Sequence, residues 1–261
     1  MKFHQFDNSD TEHLFKQNNL ADFAQLWDLE SPWFEAPNYR RNGWSGVTKF
    51  VLKDANGVSH PVFIKRQENH NFKTLLHPIK GIPTFRREFI NLKRLNDRNI
   101  PTLNCLYYGE RMENDKAQSI LITQSLEGYE SFEEKFNNNS EDSSNEEAVS
   151  FEDTRLIMQA AGRNTRLLHD ANYRHGSLYP KHFFAKLEAN QADVRLIDLE
   201  KLKWYPFRYL VRFNDLSRII RRRTPVDKEA IKILIAAYLK QGEDLSHSAL
   251  AKKLYLLLEN T

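Results

Sequence analysis

The sequence predicts an α+β protein in two parts, a small strand-rich N-terminal half holding one helix and a larger, mostly helical C-terminal half. Three observations carry this prediction. Short β-branched and aromatic runs lie between turn residues before about residue 126, apolar residues recur at helical spacing after residue 150, and one polar low-complexity stretch separates the two patterns.

In the first half the runs Phe50–Leu52, Val62–Ile64 and Ser119–Thr123 read as strands, with Asn56-Gly57 marking a hairpin turn between two of them. Phe85, Leu92 and Leu95 share one face of a helix, and Glu88 falls on that same face. The stretch from Asn137 to Glu147 is wholly Asn, Ser, Asp and Glu, and it reads as a solvated loop. Beyond it, Ser150 to Asp153 forms a capping box ahead of Leu156, Ile157, Ala160, Ala161, Leu167 and Leu168, which predicts a helix over about 152–170. Thr224 as N-cap and Pro225 at the first helical position predict another helix through Ile231–Leu239, and Leu250–Leu258 predicts a last one. The expected boundaries are an N-terminal extension over 1–37, a first lobe over 38–126 and a second over 127–261, with the acidic loop at about 137–149 and a ligand cleft between the lobes.

Composition narrows the class. The 261 residues, 40% hydrophobic, suffice for a substantial core, and 38 basic against 35 acidic residues leave a formal charge of +3 that demands no polyanionic partner. A single cysteine, Cys105, excludes an internal disulfide and a cysteine-built zinc site, so a reducing compartment, the cytoplasm, is expected. The N-terminus lacks the apolar core of a signal peptide, and no apolar run approaches the ~20 residues of a spanning helix, so any membrane contact is expected at the surface. Nucleic acid is not expected as a partner, since no RNA motif, zinc finger or heptad-linked basic region occurs.

The chemistry-bearing residues fall in a fixed order. Arg40 to Val47 contains Gly43-Trp44-Ser45-Gly46, whose glycines would let backbone N–H groups approach a polyphosphate; a plain hairpin turn is the alternative. Lys65 ends the apolar run Val62–Ile64, where an ammonium could emerge into a cleft. A carboxylate on a buried helix face costs several kcal/mol unless paired, so Lys65 is the natural partner of Glu88, the alternative being that Glu88 reaches solvent at the stripe edge. His175-Gly176-Ser177-Leu178-Tyr179-Pro180-Lys181-His182 then precedes a strand-like run ending in Ile197-Asp198-Leu199-Glu200.

This order resembles the protein-kinase set, in which a catalytic loop follows a long helix and precedes a strand bearing a metal-binding aspartate. More narrowly, the glycine segment, the lysine strand, the His175–His182 octet and the Ile197–Glu200 segment resemble the Kdo/WaaP lipopolysaccharide kinase family and its InaA-type branch, over about residues 40–220. The resemblance implies a bilobal kinase-like fold that binds ATP with Mg²⁺ and phosphorylates a sugar hydroxyl of a lipopolysaccharide core or related glycan. It also implies residue roles. Gly43, Trp44, Ser45 and Gly46 would cover the nucleotide, Lys65 would contact its phosphates and Glu88 would orient Lys65. Asp198 would bind the metal, with a structural capping role as its alternative, and His182 would stand where kinases carry a metal-binding asparagine, as a ligand or as a hydrogen-bond partner of a phosphate or metal-bound water, with a structural histidine as the alternative. His175 and Asp215 would brace the loop.

Ser177 departs from the kinase pattern, because it occupies the place of the catalytic-base aspartate and a serine hydroxyl does not accept a proton at neutral pH. Two alternatives follow: a pseudokinase that binds a nucleotide or glycolipid without transfer, or a kinase for another small molecule or a protein. Asp170 is a weaker candidate base and reads more naturally as a turn residue. Arg218, Arg221, Arg222 and Arg223 form a cationic cluster that suits phosphorylated sugars or peripheral contact with the inner membrane, and equally a solvated helix face.

Overall fold

The structure is a computed structural model and describes residues 3–40, 43–72, 81–137, 149–239 and 248–261. Arg41, Asn42 and nearly all of the acidic stretch from Asn137 to Glu147 fall outside these residues. The chain divides into two compact units, one of residues 1–94 and 103–127, the other of residues 95–102 and 128–261.

The first unit contains strands β1 (Phe3–Phe6), β2 (Trp33–Arg40), β3 (Gly43–Lys53), β4 (Ser59–Glu68), β5 (Asn71–Phe72), β6 (Ile82–Pro83), β7 (Cys105–Glu113) and β8 (Lys116–Gln124). Its helices are α1 (Ser9–Gln17), α2 (Phe23–Trp27) and α3 (Thr84–Asn96), the last running past the unit's boundary at residue 94. Six strands form one antiparallel sheet in the order β1-β7-β8-β4-β3-β2. The β3–β4 hairpin turns where Asn56-Gly57 predicts it: Gly57 has φ +79, and the Asp54 carboxylate accepts from the N–H groups of Asn56 and Val58.

Alternation along β4 gives the sheet two different faces. Val62 and Ile64 join Leu52, Ile120 and Ile122 beneath α1 and α2, whose Phe15, Phe23 and Leu26 complete a buried core. Arg66 lies on this face too, donating to the backbone oxygens of Trp27 and Leu29. Residues 1–37, read from the sequence as an extension, therefore supply an edge strand and much of this core. The opposite face carries Lys65, which stands in the middle of β4 and not at its end, and it meets α3, where Phe89 stacks on Tyr108 at 4.5 Å.

The second unit is built around α5 (Phe151–Asp170), capped as predicted by the Ser150 hydroxyl. Around it lie β9 (Glu130–Ser131), α4 (Phe132–Asn137), β10 (Tyr173–Arg174), β11 (Phe183–Glu188), β12 (Gln191–Leu196), β13 (Lys203–Trp204), α6 (Arg208–Arg221), α7 (Lys228–Tyr238) and α8 (Ala249–Glu259). Two details differ from the sequence expectation. Asp227, and not Thr224, caps α7, its carboxylate accepting from Ala230 N–H at 2.6 Å, so Pro225 precedes the helix. Leu167 is half exposed although it sits beside the apolar stripe. Residues 95–102 belong here because Thr102 forms a parallel bridge to Leu196 and its hydroxyl donates to the Leu196 oxygen at 2.6 Å, extending the backbone pairing of β12.

Candidate active site

Two groups of side chains carry the chemistry, one in each unit. In the first, Lys65 Nζ donates to Glu88 Oε1 at 2.7 Å. Glu88 is buried, with a side chain only 7% exposed, whereas that of Lys65 keeps 23% exposure. The carboxylate expected on the apolar face of α3 thus has the partner that its burial requires. Neighbouring contacts fix α3 against the sheet: Gln67 Oε1 accepts from the Thr84 hydroxyl at 2.6 Å and from Phe85 N–H at 3.1 Å, and Arg86 pairs with Glu110, which holds its guanidinium still further above its usual pKa.

Strand register divides the glycine segment between the two faces of the sheet. Register pairs Val47 with Lys65 and Ser45 with Gln67, so Ser45 shares the Lys65 face, whereas Trp44 and Gly46 lie on the face of Arg66. Trp44 packs against Trp27 and Trp33 at ring separations of 5.5 and 5.9 Å. A Cβ on Gly46 would meet the Trp33 ring at 2.7 Å, and one on Gly43 would meet the Glu68 oxygen at 2.1 Å. Both glycines are required by the chain's own packing, and the Trp44 ring does not join Lys65. The sequence showed the motif but not its strand phase.

In the second unit the loop from His175 to His182 hangs on buried hydrogen bonds. Asp215, fully buried, accepts from the N–H groups of His175 at 2.6 Å and Gly176 at 3.0 Å, and contacts His169 Nε2 at 3.3 Å and Arg218 Nη1 at 3.2 Å. Burial works to raise its pKa, but the hydrogen bond and charge of His169, with the Gly176 N–H, win and lower it. His175 donates from Nε2 to the Ile197 oxygen at 2.9 Å and accepts the Ser177 N–H at Nδ1. Complete burial holds this imidazole neutral, with its pKa pushed down to about 4.

His182 and Asp198 come together. The His182 Nδ1 donates to the Ser177 backbone oxygen at 2.6 Å, which turns Nε2 towards Asp198 Oδ2 at 3.4 Å. Asp198 lies two residues past the end of β12 in a left-handed turn, φ 59 and ψ 58, and its carboxylate makes no capping hydrogen bond. Asp is one of the few side chains that tolerate this backbone, at a cost of order 1–3 kcal/mol. A neutral imidazole nitrogen and a carboxylate oxygen are both acceptors, so a cation between them, a ring proton or a metal ion, satisfies both. A histidine whose other nitrogen donates to a backbone carbonyl has the outer-shell support typical of metal ligands. No group of three or more His, Cys, Asp and Glu suited to a metal occurs among the described residues. Mg²⁺ takes oxygen ligands, so of this pair the Asp198 carboxylate fits such an ion, while the His182 imidazole suits a hydrogen bond to a phosphate or a metal-bound water.

Ser177 does not present its hydroxyl. The residue is 1% exposed and its Oγ is buried without a hydrogen-bond partner among the described residues, so its contribution to the site is the carbonyl that orients His182. Asp170 pairs with Arg166 at 2.9 Å, one helical turn away. In the arginine cluster, Arg218 is tied to Asp215 and the Arg222 guanidinium lies 4.9 Å from the Tyr179 ring centre.

A strand lysine held by a helix glutamate in one unit, and a braced His-Gly loop with an aspartate turn in the other, are the features expected of a kinase-type phosphotransferase. The fold agrees: the structure of WaaP in complex with acyl carrier protein is similar at a TM-score of 0.65, with 16% sequence identity, over 99% of this chain and 98% of that one. The chain belongs to the lipopolysaccharide kinase (Kdo/WaaP) family, whose model matches residues 24–238. Among curated proteins, Protein InaA of Escherichia coli (strain K12) is 28% identical over 181 residues, which are 69% of this chain and 78% of that protein.

Proposed function

We propose that this protein transfers the terminal phosphoryl group of Mg-ATP to a sugar hydroxyl of a lipopolysaccharide core or related glycan, at the cytoplasmic face of the inner membrane. The observation that carries the reading is the Lys65–Glu88 ion pair at 2.7 Å, with the carboxylate buried and the ammonium partly open. Breaking such a pair costs several kcal/mol, whereas apolar residues of similar volume replace it at little loss, so its presence points to use of the charge.

Lys65 would donate to phosphate oxygens while Glu88 fixes its direction. Asp198 would hold Mg²⁺, which when bound neutralises phosphate charge, and His182 would complete the site as a ligand or by a hydrogen bond to a phosphate or metal-bound water. Ser45, on the Lys65 face, remains the member of the glycine segment suited to a nucleotide contact. Phosphoryl transfer depends chiefly on positioning and charge neutralisation, so a chain without a carboxylate at position 177 retains the main catalytic means.

A second reading is favoured by the enclosed Ser177 hydroxyl: a nucleotide- or glycolipid-binding module without transfer. The experiment that separates them is incubation with γ-labelled ATP, Mg²⁺ and a panel of core oligosaccharides, using the native chain and Asp198→Asn. Labelled glycan, reduced at least about 10²-fold in the variant, supports the kinase. Undiminished transfer in the variant removes the metal role from Asp198, and nucleotide binding without transfer to any acceptor selects the second reading.

A further inference from the structure

An exposed aromatic and basic surface follows directly on the Asp198 turn, and the phosphoryl-transfer reading leaves it unused. From Lys203 to Leu210 every described side chain is exposed, including Trp204 at 56%, Phe207 at 65% and Leu210 at 51%. On α8, Leu256 is 65% exposed and lies one turn from Lys253, whose ammonium sits 5.6 Å from the ring centre of Tyr209.

These side chains are displayed on fixed backbone. Trp204 and Lys203 pair with Tyr173 and Arg174 across β10 and β13, and Tyr205 N–H donates to the Asn172 oxygen at 2.7 Å. Exposing three large apolar side chains within seven residues is unfavourable in water, and apolar exposure concentrated in this way marks interaction sites.

Charge and side-chain type select the occupant. Residues 199–213 hold four basic side chains and one acidic one, an excess of +3 that equals the formal charge of the entire chain. Tryptophan and tyrosine beside lysine are the composition of a protein surface seated at lipid headgroups. Leu210 and Leu256 discriminate against nucleic acid, where aromatic faces stack on bases and an aliphatic side chain adds nothing comparable.

We propose that the Trp204–Leu210 segment, with Lys203 and Lys253, docks this protein on an anionic lipid surface, Trp204, Phe207 and Leu210 entering the boundary between headgroups and acyl chains. Trp204 lies six positions after Asp198, a span of at most about 20 Å, so docking would hold the Asp198 turn close to the headgroup layer. This last consequence rests on the proposed glycolipid acceptor; the docking itself does not.

The test is flotation of the full chain with vesicles of phosphatidylcholine alone or with 30% phosphatidylglycerol, without nucleotide or glycan. Binding to the anionic vesicles is expected, falling at least 10-fold in Trp204→Ser/Phe207→Ser/Leu210→Ser. A second variant, Lys203→Glu/Lys253→Glu, keeps the apolar side chains and should lower anionic binding by about 5-fold or more per position. Trp204 is the only tryptophan after residue 127, so a blue shift on binding that is absent in Trp204→Phe locates it in the bilayer. Equal binding by the native chain and both variants overturns the proposal, as does failure to float with anionic vesicles. Tighter binding to single-stranded RNA than to vesicles, or a dimer in solution that the triple variant abolishes, overturns it in favour of those partners. Because neither ATP nor acceptor is present, the result is independent of whether the protein is a kinase.

Discussion

Lys65 and Glu88 show how one buried pair can be tested for stability and function separately. Lys65→Met leaves a carboxylate buried and unpaired, and should cost about 3–5 kcal/mol by denaturant titration. Lys65→Met/Glu88→Leu removes both charges and should recover most of that stability while phosphoryl transfer stays at least about 10²-fold down. Recovery of transfer in the double variant would mean that the charge serves only the fold. His175 makes a different prediction. Its folded pKa of about 4 lies below the unfolded value of about 6.5, so the stability it contributes is full above pH 6.5 and is lost as pH falls through that value towards 4. The loss approaches about 3 kcal/mol, and His175→Gln should flatten the curve of thermal midpoint against pH in that window; an unchanged slope would assign the acid sensitivity elsewhere. Asp215, whose pKa is lowered, contributes stability above its unfolded value near 3.9 and loses it only at lower pH, so the two windows do not overlap.

At the scale of elements, close backbone approaches decide which residues are replaceable. Gly162 lies in α5 where a Cβ would meet the Leu234 oxygen at 2.4 Å and the Ala237 Cβ at 2.9 Å, so α5 and α7 touch through it. Gly162→Val should force the helices apart and lower stability by about 1–3 kcal/mol, measured by thermal unfolding, and an unchanged midpoint would show that α7 can shift without loss. Periodicity revealed α5 and its Ser150 cap, because a long amphipathic helix repeats its signal over several turns. It did not reveal that Gly162 is a contact, since one glycine in a helical run looks the same whether or not a neighbour fills the space. Strand phase was equally hidden. Trp44 and Ser45 are adjacent in the motif, yet the pleat sends them to opposite faces, and the phase becomes visible only once β3 is paired with β4.

For the whole molecule, a ligand that binds only the folded chain must raise its stability. At 100 times the dissociation constant, Mg-ATP should add about 2.7 kcal/mol, several degrees of thermal midpoint for a chain of this size, and Asp198→Asn should lose most of that shift. An equal shift without Mg²⁺ would argue against metal-assisted nucleotide binding. The order of the chemistry-bearing residues, the helix carrying Glu88 and the α5 cap were legible from residue types and spacing, and the family from the resemblance of its short motifs, because helical periodicity and short motifs are local in the chain. What only the tertiary structure decided is which of those residues meet. It joined residues 1–37 to the first unit's core and residues 95–102 to β12, turned Trp44 away from Lys65, enclosed the Ser177 hydroxyl and aimed His182 at Asp198. Each of these depends on pairing or burial between segments far apart in sequence, and local spacing holds no record of such contacts.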